Sequence, residues 1–265
     1  PQATQHVIIP SMNYISTRDL NTSPKAFSDI ILEGLAPDRG LYLPEKYPEL
    51  SQKQLQAWAT LPYAELAVEV LSLFVGDSIS EAERKEICES VYNERVFKTS
   101  EITPIEKISG DIYVQDLSQG PSLAFKDMAM QLLAPLLNLC LAKRGERLNI
   151  LGASSGDTVS AAEEALKGQA QINVFMLTPK TGMSPFQKAQ AGSILDDNIF
   201  NISIEGPFDT CQDLVKAVNH DADFKAKWNI GAVNSINWGR IVAQVIYYIY
   251  GYLQTQKQTG VSEID

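Results

Sequence analysis

The chain has 265 residues, a length typical of about two domains, and 45% of them are hydrophobic, enough to form a sizeable core. Its formal net charge of −10 argues against a nucleic-acid-binding protein, because such a protein needs basic residues to displace counterions. The three cysteines are far apart and odd in number. This pattern disfavours a disulfide framework or a zinc site and predicts a reducing compartment.

The first hundred residues have the pattern of a mostly helical region. Ser23 is predicted to cap a first helix, and Ser51 and Ser80 have the spacing of capping boxes. The segment 36–48 is rich in proline and glycine and is predicted to be a loop. We expect these elements to form a helical domain over residues 1–98.

From about residue 112 short apolar runs alternate with helical patterns. The runs that predict strands are Ile112–Val114, Leu148–Leu151, Ile172–Leu177, Ile199–Ile204 and Ile230–Val233. The patterns that predict helices between them are Phe125–Leu141, Val159–Lys167, Ser184–Ala191 and Asp209–Val218. This alternation favours βαβ units and a mainly parallel sheet. The longest apolar stretch, 238–253, carries an arginine and is too short to span a bilayer comfortably, so we interpret it as a buried helix.

A single lysine lies where a turn leads into an apolar helix, in the segment Gly120-Pro121-Ser122-Leu123-Ala124-Phe125-Lys126-Asp127. Desolvation disfavours the ammonium form of a lysine, and a neutral amine can attack an aldehyde to form an imine. The alternative is a lysine that extends its charged end from a helix face into solvent. The segment alone leaves both interpretations open.

A second polar segment, Gly152-Ala153-Ser154-Ser155-Gly156-Asp157-Thr158, follows a predicted strand and precedes a helix. Hydroxyl groups, a flexible glycine and the free N–H groups of a helix start are suited to bind an anion. The spacing matches neither a Walker loop nor a dinucleotide fingerprint. Because the same residue types cap ordinary helices, this segment fits a structural turn equally well.

Other polar residues lie at or near further predicted helices. Asn234 and Ser235 are neutral donors at a strand-to-helix junction, and Arg240 follows as a planar cation suited to phosphate. A structural salt bridge would also explain Arg240. Lys188 lies at a helix start and on its own would be a solvated surface lysine. Glu163 is predicted to lie on a solvated helix face.

Together and in this order, these segments resemble those of threonine synthases. The segment Met12 to Arg18 looks like the opening of the longer members of that family, and Gly34 to Pro44 is highly characteristic of them. Gly120 to Asp127 resembles the lysine motif that holds pyridoxal phosphate (PLP). Ser154 to Thr158 resembles the loop that meets cofactor and substrate, and Asn234 to Arg240 resembles the family's Asn-Ser-x-Asn…Arg segment. The resemblance covers nearly the whole chain.

The resemblance implies an α/β fold of the fold-type II PLP enzymes, like the tryptophan synthase β subunit. Parallel-rich sheets with flanking helices would follow the helical N-terminal domain. Residues 99–265 would be a partial catalytic region, with a small domain at about 127–235 and a return to the large domain at 236–265.

The implied reaction converts O-phospho-L-homoserine and water into L-threonine and phosphate, with PLP as the cofactor that stabilises carbanions. By the matching positions, Lys126 would be the catalytic Schiff-base lysine. The implied cofactor-binding residues are Lys126, Ser155, Gly156 and Asp157. The implied substrate-binding residues are Ser154, Thr158, Lys188, Asn234, Ser235 and Arg240.

The family's glycine- and asparagine-rich loop that binds the cofactor phosphate follows the long helix at 238–253, and this sequence ends at Asp265 before such a loop. We therefore expect a chain truncated at its C-terminus that binds PLP weakly and has little activity. We also expect a cytoplasmic monomer or weak homodimer without metal, nucleic acid or membrane.

Two alternatives stay open. Another fold-type II PLP lyase, such as a phospho-lyase or a serine/threonine dehydratase, would use Lys126 equally well. The other alternative is a catalytically silent fragment or binding module with the same fold, because a fold does not determine a function.

Overall fold

A computed structural model describes residues 12–19, 23–154, 156–231 and 236–264, apart from the side chain of Ala191. The N-terminal part of the described chain is mostly helical, as predicted. Its helices are α1 (Phe27–Glu33), α2 (Gln52–Trp58), α3 (Tyr63–Val75), α4 (Glu81–Val91) and α5 (Glu94–Phe97). Two short strands, β1 (Tyr14–Ser16) and β2 (Tyr42–Pro44), pair antiparallel.

The N-terminal helix starts confirm two of the three predicted caps. Ser80 and Glu83 form a reciprocal capping box at α4, and the Ser51 hydroxyl accepts a hydrogen bond from the Gln54 N–H at α2. The prediction that Ser23 caps the first helix is wrong. The backbone of Lys25 instead exchanges hydrogen bonds with that of Tyr14, so α1 cannot begin before residue 27.

The segment 36–48 is not wholly a loop. Its residues 42–44 form β2, because they pair in register with residues 14–16 near the start of the described chain. A three-residue strand shows too little alternation to be recognised from its own sequence.

The remaining elements begin with a hairpin and continue as alternating helices and strands. The strands are β3 (Ile105–Ser109), β4 (Ile112–Gln115), β5 (Leu148–Ala153), β6 (Ile172–Pro179), β7 (Ile199–Ile204) and β8 (Ile230–Gly231). The helices are α6 (Asp127–Arg144), α7 (Asp157–Leu166), α8 (Pro185–Gly192), α9 (Phe208–His220), α10 (Ala222–Lys227) and α11 (Trp238–Thr259).

Four of these strands form a parallel sheet in the order β7-β6-β5-β8, which confirms the predicted βαβ organisation. The predicted strand at 112–114 exists as β4 but does not belong to this sheet. It pairs antiparallel with β3. Gly110, with φ +53°, lies in the short turn between the two strands, a conformation that glycine adopts readily.

Helices cover the parallel sheet and connect it to the N-terminal part. Helix α7 packs against α6 and α8, and α9 packs against β5 and β6. Helix α11 lies against both α6 and α3, so one hydrophobic core includes residues from both parts of the chain. The Tyr92 hydroxyl donates a 2.9 Å hydrogen bond to the carbonyl oxygen of Met128 across this junction. The domain boundaries stay a prediction.

The long apolar stretch is indeed a packed helix. Val242, Ala243 and Ile246 of α11 are fully buried against the core. Within the described ranges, no helix combines the length and the apolar composition that crossing a bilayer requires.

Candidate active site

Lys126 is the residue immediately before the first turn of α6. Its Nζ atom lies 3.5 Å from Oδ2 of Asp157, and its side chain is 22% exposed. The same amine lies 5.1 Å from the centre of the Phe125 ring, within the range of a cation–π contact. The amine is therefore turned towards the polar segment that follows β5 and is partly shielded from solvent.

The segment after β5 joins the strand to the first turn of α7. The Ser154 N–H donates to the Leu177 carbonyl oxygen at 3.2 Å, and the Ser154 hydroxyl accepts from the Gly156 N–H at 3.2 Å. Helix α7 begins after Gly156 without a hydrogen bond from any capping side chain in the described chain. Thr158 is half-buried in its first turn. An uncapped helix start of this kind attracts negative charge.

Helix α8 lies beside both of these segments. The Gln190 side-chain N–H donates to the Ser122 carbonyl oxygen at 3.1 Å, and a methyl group on Gly156 would lie 3.4 Å from Nε2 of Gln187. The turn before Lys126, the start of α7 and α8 thus meet at one place. The prediction from sequence did not include Gln187 or Gln190, although their spacing of three residues puts both on one helix face.

Lys188 follows Gln187 and lines a cavity of ≈ 200 Å³ at the ends of β6 and β7. Its Nζ donates to the Lys180 carbonyl oxygen at 3.0 Å, and Lys180 itself pairs with Glu205. Neither Lys126 nor Asp157 lines this cavity. Across the described residues, no hydrogen bond or ion pair joins Lys188 to Lys126.

Arg240 lies in the first turn of α11 and is only 4% exposed. Asn237 fixes this helix start, because its side chain accepts from the Gly239 N–H and donates to the Ile31 carbonyl oxygen. Among the residues that the structure describes, the Nε atom of Arg240 is buried without a hydrogen-bond partner, and no carboxylate pairs with the guanidinium. Burial lowers the pKa of Arg240. A buried cation in this state is a candidate for an anionic ligand.

Three of the predicted site residues, Ser155, Asn234 and Ser235, lie outside the described residues. In the described chain, no group of three or more His, Cys, Asp or Glu residues is arranged to hold a metal ion.

The prediction that Glu163 lies on a solvated helix face is wrong. Its side chain is fully buried in α7, and among the described residues neither carboxyl oxygen has a hydrogen-bond partner that meets normal geometry. Burial raises the pKa of Glu163 to about 7, and the Asn201 side chain of β7 partly lowers it. Almost all of α7 is buried, because it is covered by α6, α8 and the sheet.

Comparisons with known proteins show which family this chain resembles. Residues 13–92 match the family model for the threonine synthase N terminus. Threonine synthase from Corynebacterium glutamicum is 53% identical over 248 residues, which are 92% of this chain and 51% of the relative.

Solved structures with a similar fold also include threonine synthases. PLP-bound threonine synthase from Brucella melitensis is 42% identical and superposes with a TM-score of 0.87, over 92% of this chain and 52% of that one. Threonine synthase from yeast is 35% identical with a TM-score of 0.88, over 96% of this chain and 51% of that one. The chain spans about half the length of the relatives that it matches. By sequence and by fold, it belongs to the threonine synthase family.

Proposed function

We propose that the protein carries out the chemistry of a PLP-dependent threonine synthase, which converts O-phospho-L-homoserine and water into L-threonine and phosphate. The observation that carries the proposal is the position of the Lys126 amine, 3.5 Å from Asp157 at the carboxyl end of β5. Ligands of α/β proteins bind outside the carboxyl ends of parallel strands. Membership of the family and the PLP-bound relative support the choice of cofactor and reaction.

The residues present fit the cofactor. When bound, PLP supplies an aldehyde that condenses with amines and a ring that stabilises carbanions. Lys126 is the only lysine in its segment, its amine is partly shielded from solvent, and it contacts the Phe125 ring. The Asp157 carboxylate accepts a hydrogen bond from this amine and so limits its orientation. We assign Gly156, Asp157 and the undescribed Ser155 to cofactor binding.

Lys126 would also move protons. Its Nζ atom would be the base that removes a proton from a substrate carbon and later returns one. An amine does this best from a site with little water, and the 22% exposure of the Lys126 side chain supports that role.

The substrate phosphate needs cations and hydroxyl groups, because it gains negative charge as it leaves. Ser154, Thr158, Lys188 and Arg240 supply them, together with the undescribed Asn234 and Ser235. The support for Arg240 is its buried guanidinium, whose Nε atom has no hydrogen-bond partner among the described residues, and the support for Lys188 is its place beside Gln187, which approaches Gly156. Lys188 and Arg240 make no direct contact with Lys126 in the described chain, so their roles rest on their chemistry.

We also propose a cytoplasmic location and a monomer or weak homodimer. The three cysteines, Cys88, Cys140 and Cys211, are all free and buried, which supports a reducing compartment. Sedimentation velocity over a range of protein concentrations would measure the oligomeric state, and a tight oligomer would contradict this part of the proposal.

The first test is cofactor attachment. The protein is incubated with PLP, reduced with borohydride, digested, and the modified lysines are identified by mass spectrometry. We expect modification at Lys126 well above that at Lys85, an exposed lysine of α4. The total amount of attached PLP should fall in Lys126→Ala, whereas modification at Lys126 should stay unchanged in Lys85→Ala. Equal modification of the two lysines in the unchanged protein would refute the cofactor site and favour a silent binding module.

The second test is the product. The protein is supplied with PLP and O-phospho-L-homoserine, and threonine, 2-oxobutyrate and phosphate are measured. Threonine with an equal amount of phosphate would support the proposal. Formation of 2-oxobutyrate instead would identify another PLP lyase that uses the same lysine.

A further inference from the structure

The turn before Lys126 is built around the carboxylate of its neighbour, Asp127. This carboxylate is fully buried, and its two oxygens accept hydrogen bonds from one residue. The Ser122 hydroxyl donates to Oδ1 at 2.7 Å, and the Ser122 N–H donates to Oδ2 at 2.8 Å. The five residues from Ser122 to Lys126 are thus closed into a loop whose ends are joined at Asp127.

The backbone of this loop is constrained further. Gly120 has no room for a side chain, because a methyl group there would lie 2.4 Å from Cβ of Asp127. Leu123 has φ +62°, a left-handed conformation that is unfavourable for a residue with a side chain. The Leu123 side chain is 52% exposed, so packing of that side chain does not explain the conformation. The contacts of Asp127 with Ser122 and Gly120 support this shape, together with the 3.1 Å hydrogen bond from the Leu123 N–H to the Gly120 carbonyl oxygen.

The same loop is attached to α8. The Gln190 side chain donates to the Ser122 carbonyl oxygen, so the N–H, the hydroxyl and the carbonyl oxygen of Ser122 are all engaged. Lys126 leaves this loop as the last residue before α6, and its amine reaches Asp157. A change in the loop would change where that amine points.

We propose that Asp127 is a positioning residue, which holds the 120–126 turn through Ser122 so that the Lys126 amine faces Asp157. The effect of this positioning on activity rests on the proposed function, since a misplaced amine would reach neither the cofactor nor the substrate. It does not need Asp127 to contact either of them. The simpler explanation is that Asp127 only stabilises the N-terminus of α6, as acidic residues in a first turn generally do.

Competitive acetylation separates these explanations without any cofactor. The folded protein reacts with a trace of acetic anhydride at several pH values, and the rate at Lys126 is divided by the rate at Lys85. Lys126 has a side-chain exposure of 22% and Lys85 one of 66%, so we expect the ratio to be well below one. A general loss of stability does not change this ratio while the protein stays folded.

Asp127→Ala should raise the ratio about fivefold, as expected for the loss of hydrogen bonds to a charged group. Asp127→Asn should restore most of the original ratio, because its amide oxygen can accept from the Ser122 N–H while its NH₂ donates to the Ser122 hydroxyl oxygen. Ser122→Ala removes one of the two bonds and should raise the ratio by less. Circular dichroism confirms that each variant is folded, and if Asp127→Ala is not, Ser122→Ala and Asp127→Asn still test the proposal.

An unchanged ratio in folded Asp127→Ala would overturn the proposal, as would an unchanged ratio in Ser122→Ala if only that variant folds. Borohydride reduction with PLP then separates this failure from failure of the proposed function. If the ratio responds to Asp127 but PLP does not attach to Lys126, the positioning holds and the cofactor assignment is wrong. If PLP attaches equally well to Lys126 in all variants, the cofactor assignment holds and the positioning role of Asp127 is wrong.

Discussion

The first turn of α6 and the middle of α7 each bury a carboxylic acid, and the two helices pack against each other. Asp127 in α6 accepts two hydrogen bonds from Ser122. Within the described chain, neither carboxyl oxygen of Glu163 in α7 has a hydrogen-bond partner that meets normal geometry, although the Asn201 side chain is near enough to lower the pKa of Glu163 slightly. Both side chains are withdrawn from water to the same extent, so the difference between them lies in their hydrogen bonds.

This difference shows that burial alone does not decide what an acid does in a protein. Burial raises the pKa of both acids, but the bonds from Ser122 counteract the rise at Asp127. A carboxylate that accepts hydrogen bonds can stay charged and order its surroundings, whereas one without them becomes neutral. We therefore expect Asp127 to shape the lysine turn, and we expect Glu163 to make the stability of the fold depend on pH.

The largest expected effect in this comparison is the pH dependence that Glu163 gives to the free energy of unfolding. Its pKa rises from 4.5 to about 7 on folding, so the folded state keeps a proton that the unfolded chain releases. The free energy of unfolding should therefore fall by about 3 kcal/mol as the pH rises from about 4.5 to about 7, and then level off. Glu163→Gln should remove this fall, measured by urea denaturation at pH 5 and pH 8.

Glu164→Gln is the matched control, because Glu164 is the next residue of α7 and is only half-buried. It should keep most of the fall that the unchanged protein shows. If Glu163→Gln and the unchanged protein lose stability in parallel between pH 5 and pH 8, Glu163 is not the group that releases the proton.

The second prediction concerns the space beside Asp127. Gly120→Ala would place a methyl group 2.4 Å from Cβ of Asp127, too close for two carbon atoms. The turn must shift, and we expect a loss of about 2 kcal/mol in the free energy of unfolding, in the usual range for overpacking. Gly192→Ala is the control, because a methyl group there meets nothing within 4 Å. Equal stability of the two variants in urea denaturation would mean that the turn is not tightly fitted.

The third prediction concerns the contribution of one hydrogen bond of the turn to the free energy of unfolding. Ser122→Ala removes the hydroxyl that donates to Oδ1 of Asp127 and should cost about 1.5 kcal/mol, because the acceptor is charged and buried. Ser118 donates a similar bond to Asp116, but that pair is exposed, so Ser118→Ala should cost less than about 0.5 kcal/mol. Thermal unfolding of both variants measures the difference, and a larger loss in Ser118→Ala would contradict the importance of burial.

The sequence was most informative where a regular pattern continued over several residues. Strands β5 and β6 lie inside the parallel sheet and β7 lies at its edge, and their apolar runs predicted all three with boundaries close to those observed. Strands β1 and β2 were not predicted, because each has three residues and exists only through pairing with a distant partner. The antiparallel pairing of β4 with β3 was also missed, although only a short turn at Gly110 separates the two strands.

The site was predicted only in its separate segments. The sequence located Lys126 and Asp157 at two helix starts, but nothing in it shows that these two side chains meet. Gln190 contacts a residue 68 positions earlier, so no local pattern could reveal it. Glu163 was placed on the surface because a charged residue usually lies there. Its burial follows from the packing of α7 against α6, α8 and the sheet, which only the fold determines.

The smallest expected effect comes from a half-buried acid with the opposite behaviour, Glu83 of α4. Its hydrogen bond from Lys143 lowers its pKa from 4.5 to about 2, and the Ser80 N–H of the capping box contributes to this lowering. The stabilisation is therefore present above pH 4.5 and is lost as the pH falls towards 2, the reverse of Glu163. Because the Lys143 side chain is 43% exposed, we expect a coupling of only about 0.5 kcal/mol between the two residues.

A double-mutant cycle with Glu83→Gln and Lys143→Met at pH 7 measures that coupling, since the glutamine side chain would keep the capping geometry while it removes the charge. High salt should reduce the coupling, because solvent-exposed charges are screened. The pH effect at Glu163 should persist in salt, because its side chain is fully buried. A coupling at Glu83 as large as the effect at Glu163 would show that exposure does not determine how much each acid contributes to stability. The difference between Asp127 in α6 and Glu163 in α7 would then need another cause.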